Sequence, residues 1–392
     1  MMFGKLKYWL RYGADSMLWA LWVGWFSLAN FLYSLFNQHN KSVHAKRILV
    51  LHNMRVGDTI AITPLLRLLK SKLPEIVIDV VTSQVGAEVL KCSPDVGTTF
   101  IFKPKSRMND YLNLVGKLRE KRYDATIDLS NGLSGWGREL LAVGSGAPCR
   151  VSFKRCGYRA ACPTHEIEYE YLHAVDVYLK PSTVFGLKPG PQDRKYGIVL
   201  SEQEKSWGKG KIESLGGKSP VLILNPTTLD PNKQWLLSRF ALVADRLINE
   251  VKASVIITAA PEESHLAWEV SAMMTAPHHQ LAGQTSLREY LSLIAASQLV
   301  LTVDTAAVHA AQAFDVPVVA LFNPATCHYW GPLPGSKSLV LVKPDVCEKC
   351  WKLTPCGRSV WEMKCKKQSR QCMEVISAEE VFIACRNMLG VR

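Results

Sequence analysis

The chain has 392 residues, 48% hydrophobic and 21% charged, so it can bury a large core, which excludes wholesale disorder and favours two domains. Lysine and arginine exceed aspartate and glutamate by 47 − 34 = 13, a balance that points to acidic partners such as nucleic acid, anionic lipid or phosphorylated glycans. The eleven cysteines fit reduced thiols in a cytosolic setting better than a secreted disulfide scaffold.

The N-terminal 45 residues differ from the rest of the chain. Residues 16–36 carry no charge, and as a helix they would be about 31 Å long, enough to cross a bilayer core. Small and polar residues recur along one stripe of this helix, which also holds Trp19, Trp22 and Trp25. Three interpretations stay open: a helix lying in the cytoplasmic face of a membrane, a spanning anchor, or a hydrophobic helix packed on the protein. We predict that residues 1–45 are a membrane-associating segment.

Short apolar runs alternate with helical periodicity from Arg47 onward, which predicts a parallel sheet covered by helices. Between about residues 149 and 169 this alternation weakens, so a long basic loop is expected there. Residues 181–195 are the predicted domain linker. The predicted strands of this first series are 48–51, 76–81, 99–102 and 125–129, with helices at 59–72 and 111–122.

A second series of strands and helices follows the linker. Its predicted strands are 221–224, 254–258, 299–303 and 316–322, with helices at 238–250, 262–274, 287–296 and 305–314. Residues 377–389 form a closing helix in which Ser377 and Glu380 make a capping box. The sequence therefore predicts two doubly wound α/β domains, 46–185 and 186–376, then a closing segment 377–392, with ligands bound in a cleft between the carboxyl ends of the strands.

The first candidate site is Arg55-Val56-Gly57-Asp58, which follows the first strand at the start of a helix. Glycine permits a tight turn, and the helix N-terminus carries partial positive charge. Asp58 could face the cleft and take a proton from a hydroxyl group. The alternative is that Asp58 only caps the helix, because aspartate is a favoured N-cap residue.

The second candidate site is Asn225-Pro226-Thr227-Thr228 with the nearby Lys233, which follow the first strand of the second domain. Two hydroxyl groups and an ammonium group beside a strand end suit a diphosphate. The alternative is an ordinary turn with an exposed lysine.

The third candidate site, Asp304-Thr305-Ala306 followed by His309, joins a strand to a helix. Free backbone N–H groups at the helix start, with the Thr305 hydroxyl, would bind an anion. The alternative is a capped helix with a packed histidine.

The fourth candidate site is a cysteine-rich tail. Cys347, Cys350 and Cys356, together with Cys372, have some of the spacing of zinc ligands, although the later gaps are irregular. A structural zinc, a disulfide-forming lobe and reduced thiols all stay open as interpretations.

In this order, the stretches 48–70, 222–240, 281–287, 304–332 and the cysteine-rich tail resemble glycosyltransferase family 9, the lipopolysaccharide heptosyltransferases. The resemblance covers about residues 46–390. It implies two Rossmann-like domains of the GT-B type that face a cleft, with the hydrophobic N-terminal helix as an addition. It also implies inverting transfer of heptose or a similar sugar from an ADP-sugar to a lipid-linked, phosphorylated inner-core glycan, with no cofactor and no catalytic metal.

The resemblance assigns roles to the candidate residues. Asp58 would be the general base on the acceptor hydroxyl, with Arg55 and Gly57 on the acceptor side. The basic run that contains Arg150 and Lys154 would grip acceptor phosphates, or else be a solvated charged surface. The expected donor-binding residues are Thr227, Thr228, Lys233, Glu262, Asp304, Thr305, Ala306 and His309. The implied location is the cytoplasmic face of the inner membrane, against an anionic surface.

Two departures from the family pattern keep other functions in view. The family usually has glycine at the position of Ala306 and before Glu262. A non-catalytic nucleotide-sugar-binding protein at the membrane, or a transferase that uses another nucleotide sugar, would fit these changes. Nucleic-acid binding is disfavoured because no helix carries a basic stripe interleaved with aromatic residues. A nicotinamide oxidoreductase is disfavoured because the three-glycine fingerprint is missing.

Overall fold

A computed structural model of the protein describes residues 43–102, 108–129, 136–154, 163–217, 220–346 and 370–391. The predicted N-terminal hydrophobic helix falls almost wholly outside these ranges. Among the helices that the structure does describe, none combines the length and the apolar character needed to cross a bilayer.

The first domain is built on a sheet of six parallel strands in the order β3-β2-β1-β4-β5-β6. This order places the change of winding direction between β1 and β4, where doubly wound folds bind ligands. The strands are β1 (Arg47–His52), β2 (Val77–Thr82), β3 (Thr99–Ile101), β4 (Ala125–Asp128), β5 (Cys149–Phe153) and β6 (His165–Ile167).

Helices cover both faces of this sheet, as the alternating pattern predicts. They are α1 (Val56–Lys72), α2 (Gln84–Leu90), α3 (Met108–Glu120), α4 (Trp136–Gly144) and α5 (Ala174–Leu179). Helix α5, the last helix of the first domain, packs on α1, the first.

The second domain repeats the same winding. Its six parallel strands lie in the order β12-β11-β10-β7-β8-β9, which places its change of direction between β7 and β10. The strands are β7 (Val221–Asn225), β8 (Ser254–Ile257), β9 (His279–Gln280), β10 (Leu299–Val303), β11 (Val318–Leu321) and β12 (Ser338–Leu341).

Several helices of the second domain begin at residues whose side chains cap them. Ser201, Ser286 and Ser377 each make a capping box, and the box predicted for Ser377 and Glu380 is confirmed. These helices are α6 (Glu202–Ser214), α7 (Leu237–Val251), α8 (Ser264–Met273), α9 (Leu287–Ala296), α10 (Ala306–Ala313), α11 (Pro324–Trp330), α12 (Gln371–Glu374) and α13 (Ala378–Met388).

Two segments predicted to be irregular contain regular secondary structure. The expected basic loop over residues 149–169 begins with β5 and later contains β6, two short strands whose charged residues hide the alternation of a sheet. The expected linker over residues 181–195 contains two 3-10 helices, Lys180–Phe185 and Pro191–Arg194. Pro181 and Phe185 are buried against the first domain.

The two domains meet along helices that follow strands beside the change of winding direction in each sheet. Helix α1, which follows β1, packs against α10, which follows β10, and one continuous apolar cluster includes residues of both. Helix α13 packs on α7 and covers the second domain. The carboxyl ends of β1, β7 and β10 consequently carry the candidate residues to the region between the domains.

Trp235 fixes the closing segment to the second domain, and this contact can be tested. Its side chain is fully buried, stacks edge-on against Phe240 and donates from Nε1 to the Ile376 carbonyl at 3.0 Å. We expect Trp235→Ala to lower the free energy of unfolding of this domain by about 3–5 kcal/mol, because it leaves a large cavity. Trp268→Ala is the matched control, because Trp268 is 49% exposed. Urea titrations that show equal losses for the two variants would contradict the assignment.

Candidate active site

Asp58 lies inside the first turn of α1 and not at its cap. The helix starts at Val56, three residues earlier than predicted, and Arg55 occupies the N-cap position without a side-chain cap. One part of the capping alternative holds, since the Asp58 carboxyl accepts backbone hydrogen bonds from Arg55 and from its own amide. Its Oδ1 atom is buried and has no hydrogen-bond partner in the described part of the chain. That oxygen is placed to accept a proton.

The surroundings of Asp58 tune it for this task. Burial raises the pKa of its carboxyl to about 6, while the positive charges of Arg55 and Lys233 and the backbone hydrogen bonds act in the opposite direction. A carboxylate with such a pKa holds a proton more readily than an ordinary aspartate and is still ionised near neutral pH, as a general base requires.

Tyr178 is a neighbour of Asp58 that could not be selected from the sequence, because the sequence pattern does not predict helix α5. Its side chain is fully buried, and its phenol makes a side-chain hydrogen bond with Asp58. Burial and the Asp58 charge raise the pKa of this phenol, so it stays protonated. Tyr178 thereby helps to orient the carboxyl group.

Gly57 allows the two domains to approach each other at this point. A methyl group at Gly57 would lie 3.3 Å from the His309 ring and 3.6 Å from the Cα atom of Ala306, both on α10. The tight turn expected at this glycine is absent, because Gly57 is the second residue of α1 and its φ is not positive. Its function is close packing between helices, and the Ala306 side chain faces it.

Lys233 and Asp304 form an ion pair at the matching edge of the second domain. The Nζ atom lies 2.8 Å from Oδ2, and the two side chains are 15% and 5% exposed. Lys233 also lowers the pKa of Asp58, so the cation lies within electrostatic range of the carboxyl of the other domain. The structure thus brings Asp58, Lys233 and Asp304 together, and Lys233 is not the exposed turn lysine of the alternative interpretation.

The two threonines near Lys233 are held differently. Thr227 is buried and donates from Oγ1 to Glu263 Oε2 at 2.8 Å, whereas the Thr228 amide donates to Gln234. Glu262, the predicted donor ligand, is exposed in the 3-10 helix Pro261–Glu263 that precedes α8. The inward-facing acid is its neighbour Glu263, and the sequence could not choose between them because the turn sets their directions.

Helix α10 presents its N-terminus to the same region. Thr305 is its N-cap residue and its Oγ1 accepts from the Ala307 amide at 3.3 Å, so this hydroxyl does cap the helix. His309 is buried one turn later, where its Nδ1 contacts the Tyr196 hydroxyl at 3.1 Å. Burial lowers the pKa of His309 to about 4, so the ring is neutral and packs between the domains.

The predicted acceptor-side cations lie in different places. Arg55 is exposed at the start of α1, next to Asp58. Arg150 lies in the amino-terminal half of β5, away from the edge that carries the site, and donates to the Ala147 carbonyl. Lys154 is exposed and pairs with Glu168 at 2.6 Å. The structure therefore places Arg150 away from Asp58, whereas the role of Lys154 on the acceptor side stays a prediction.

Most of the predicted zinc ligands lie outside the residues that the structure describes. Cys347, Cys350 and Cys356 lie outside the described residues, while Cys372 is buried in α12. Among the described residues, no group of three or more histidine, cysteine or acidic side chains could hold a metal ion.

A family model described as glycosyltransferase family 9 (heptosyltransferase) matches residues 111–356, which include every donor-side candidate. The chain belongs to glycosyltransferase family 9. The predicted family is therefore confirmed, and the chain is a glycosyltransferase. The match begins after Asp58, so the assignment of that residue depends on the geometry described above.

Named relatives agree with this family. Lipopolysaccharide heptosyltransferase 3 of Escherichia coli K12 is 27% identical over 290 residues, which are 70% of this chain and 82% of that protein. A family 9 glycosyltransferase from Veillonella parvula has the same fold, with a TM-score of 0.75 at 22% identity over 90% of this chain and 99% of that one. The E. coli ADP-heptose lipopolysaccharide heptosyltransferase II superposes with a TM-score of 0.69 at 23% identity, over 88% and 98% of the two chains.

Asp58→Asn tests the role of the buried carboxyl. Asparagine cannot take a proton, so we expect the transfer rate to fall by about 10²–10⁴-fold. Because the folded-state pKa of about 6 exceeds the ordinary 3.8, stability that Asp58 contributes at low pH is lost as the pH rises through 6. The neutral variant should therefore be more stable than the wild type at pH 7.5, by up to about 3 kcal/mol. Thermal unfolding at pH 7.5 and pH 4 measures this difference, and a destabilised variant at pH 7.5 would refute it.

Proposed function

We propose that the protein transfers heptose from ADP-heptose to a hydroxyl group of a lipopolysaccharide core acceptor, with inversion at the anomeric carbon. The donor and acceptor are those in the names of the relatives, lipopolysaccharide heptosyltransferase 3 and ADP-heptose lipopolysaccharide heptosyltransferase II. The observation that carries the proposal is the placement of Asp58 from one domain within electrostatic range of Lys233 from the other. A base and a diphosphate-binding cation thus meet across one cleft.

The reaction proposed needs one proton acceptor and one stabilised leaving group. The acceptor oxygen attacks the anomeric carbon and forms the new glycosidic bond, while its proton passes to Oδ1 of Asp58. The bond from the anomeric carbon to the ADP oxygen breaks on the opposite face, and ADP leaves with the electron pair. Tyr178 keeps the carboxyl oriented during the transfer.

Negative charge accumulates on the leaving diphosphate, and the second domain supplies the positive counterpart. Lys233 is paired with Asp304 in this structure. The diphosphate would therefore displace the Asp304 carboxylate and bind the ammonium group in its place. The N-terminus of α10 adds backbone N–H groups and a helix dipole at the same edge. These groups are preorganised for a transfer that uses no metal or cofactor.

The structure accommodates the alanine that replaces the family's usual glycine at position 306. Its methyl group faces Gly57 of the first domain, where it fills space between the helices. The departure from glycine is therefore accommodated by the interdomain contact. Binding of ADP-heptose without release of ADP in the presence of acceptor would instead favour the non-catalytic function, and transfer from another nucleotide sugar would change the donor assigned.

The cation on the donor side gives a direct test of this proposal. We expect Lys233→Ala to weaken ADP binding and to lower kcat, because the charge that stabilises the departing diphosphate is lost. Lys233→Arg should retain part of both, and Lys252→Ala, on an exposed lysine after α7, is the matched control. Isothermal calorimetry with ADP and a transfer assay with ADP-heptose and truncated core oligosaccharides measure the effects. Unchanged ADP affinity in Lys233→Ala would exclude Lys233 from the donor site.

We also propose that residues 1–45 hold the enzyme on the cytoplasmic face of the inner membrane, where a lipid-linked acceptor is made accessible. The uncharged stretch 16–36 and the net charge of +13 support this location. A variant that lacks residues 1–40 should move from the membrane fraction to the soluble fraction while it keeps its activity on a deacylated core oligosaccharide. Retention of that variant in the membrane fraction would refute the anchor.

A further inference from the structure

A small cavity opens at the carboxyl edge of the first sheet, beside the strand that leads to Asp58. Its volume is about 50 Å³, and its lining includes His52, Asn53, Phe102, Tyr111 and Arg138. The lining is mainly apolar with a few polar groups, and a cavity of this size has room for about three or four water molecules, and therefore for a fragment with one or two hydroxyl groups. It is too small for a whole sugar ring.

His52 is the polar group in this cavity that most needs a partner. Its side chain is fully buried, and neither ring nitrogen has a hydrogen-bond partner among the residues that the structure describes. The backbone of Asp58 lies near enough to favour the protonated ring, but its geometry makes no hydrogen bond. Leaving a buried polar group unpaired costs about 1–3 kcal/mol, so such a residue indicates a ligand.

The chemistry of the lining favours hydroxyl groups over a charged ligand. Burial and the nearby Arg138 charge lower the pKa of His52 to about 3, so the ring is neutral and offers one N–H donor and one acceptor. Arg138 lowers and Asp128 raises the pKa of this ring, and the Arg138 charge has the larger effect. The Oδ1 atom of Asn53 is a further acceptor that has no partner in the described chain.

The cavity is adjacent to the proposed base. The His52 ring contacts the Tyr178 ring edge-on, with 5.8 Å between centroids, and Tyr178 is hydrogen-bonded to Asp58. Phe102 and Tyr111 form an edge-on aromatic pair on another wall, with 4.5 Å between ring centroids. A sugar that placed hydroxyl groups in the cavity would present a neighbouring hydroxyl toward Asp58.

We propose that this cavity is an acceptor subsite that receives an uncharged pair of hydroxyl groups on the acceptor sugar, with His52 and Asn53 as the binding residues. This inference rests on the proposed function, and it adds the substrate class and the residues that recognise it. His52 fixes the acceptor so that the reacting oxygen meets Oδ1 of Asp58.

Two variants change the cavity in different ways. His52→Asn removes the ring, and Val81→Leu adds a methylene group to the cavity lining without removing any polar group. Thr82→Val is the matched control: Thr82 is equally buried on the neighbouring strand and its hydroxyl also has no partner among described residues, but it faces Gly86 of α2. The affinity for ADP, measured by calorimetry, shows that each variant is folded.

With ADP-heptose and a truncated core oligosaccharide, we expect both cavity variants to raise the acceptor KM about tenfold, the effect of losing one or two hydrogen bonds. The donor KM and the ADP affinity should stay unchanged, and Thr82→Val should match the wild type. An acceptor that lacks one of the bound hydroxyl groups should be a poorer substrate for the wild type but no poorer for His52→Asn.

The outcomes separate the subsite from the proposed function. If the wild type transfers heptose and both cavity variants keep the wild-type acceptor KM, the cavity is not the subsite and the function stands. An equal rise in the donor KM would assign the effect to general distortion and would also overturn the subsite. If the wild type transfers heptose to no core acceptor, the proposed function and this inference are both wrong.

Discussion

The close approach of helices α1 and α10 determines the rest of the site. Gly57 has no side chain, so the start of α1 can lie against Ala306 and His309 without a clash. This contact sets the Asp58 carboxyl, one residue later, near the Lys233 ammonium of the opposite domain. A larger residue at position 57 would separate a base from the cation that it must face.

The same packing explains the electrostatics of the site. Asp58 is buried beside this contact, and desolvation is the largest influence on its pKa. His309 is neutral for the same reason and serves as a spacer between the domains. The ion pair with Asp304 keeps the buried Lys233 cation satisfied in this structure.

Much of the fold could be predicted because long apolar runs indicate buried strands and capping residues mark the starts of helices. Strand 299–303 and helix 287–296 match their predicted bounds, and the two doubly wound sheets are confirmed. The short strands β5 and β6 were missed because charged residues interrupt their alternation. The predicted start of α1 is three residues late because a glycine at position 57 suggests a turn. In the structure, Gly57 instead allows close packing between helices.

The site was only partly predictable, since side-chain direction depends on tertiary contacts. The structure brings together Asp58, Lys233 and Asp304, which the sequence selected as site residues. Glu263, and not the selected Glu262, faces Thr227, and the sequence carries no signal for Tyr178 or His52. The central claim is that Asp58 and Lys233 interact across the two domains. Its most direct test is an NMR titration of the Asp58 carboxyl carbon, assigned by comparison with Asp58→Asn, in the wild type and in Lys233→Ala. The account predicts a midpoint near pH 6 that rises when Lys233 is removed; a midpoint near 4 that is insensitive to Lys233 would contradict it.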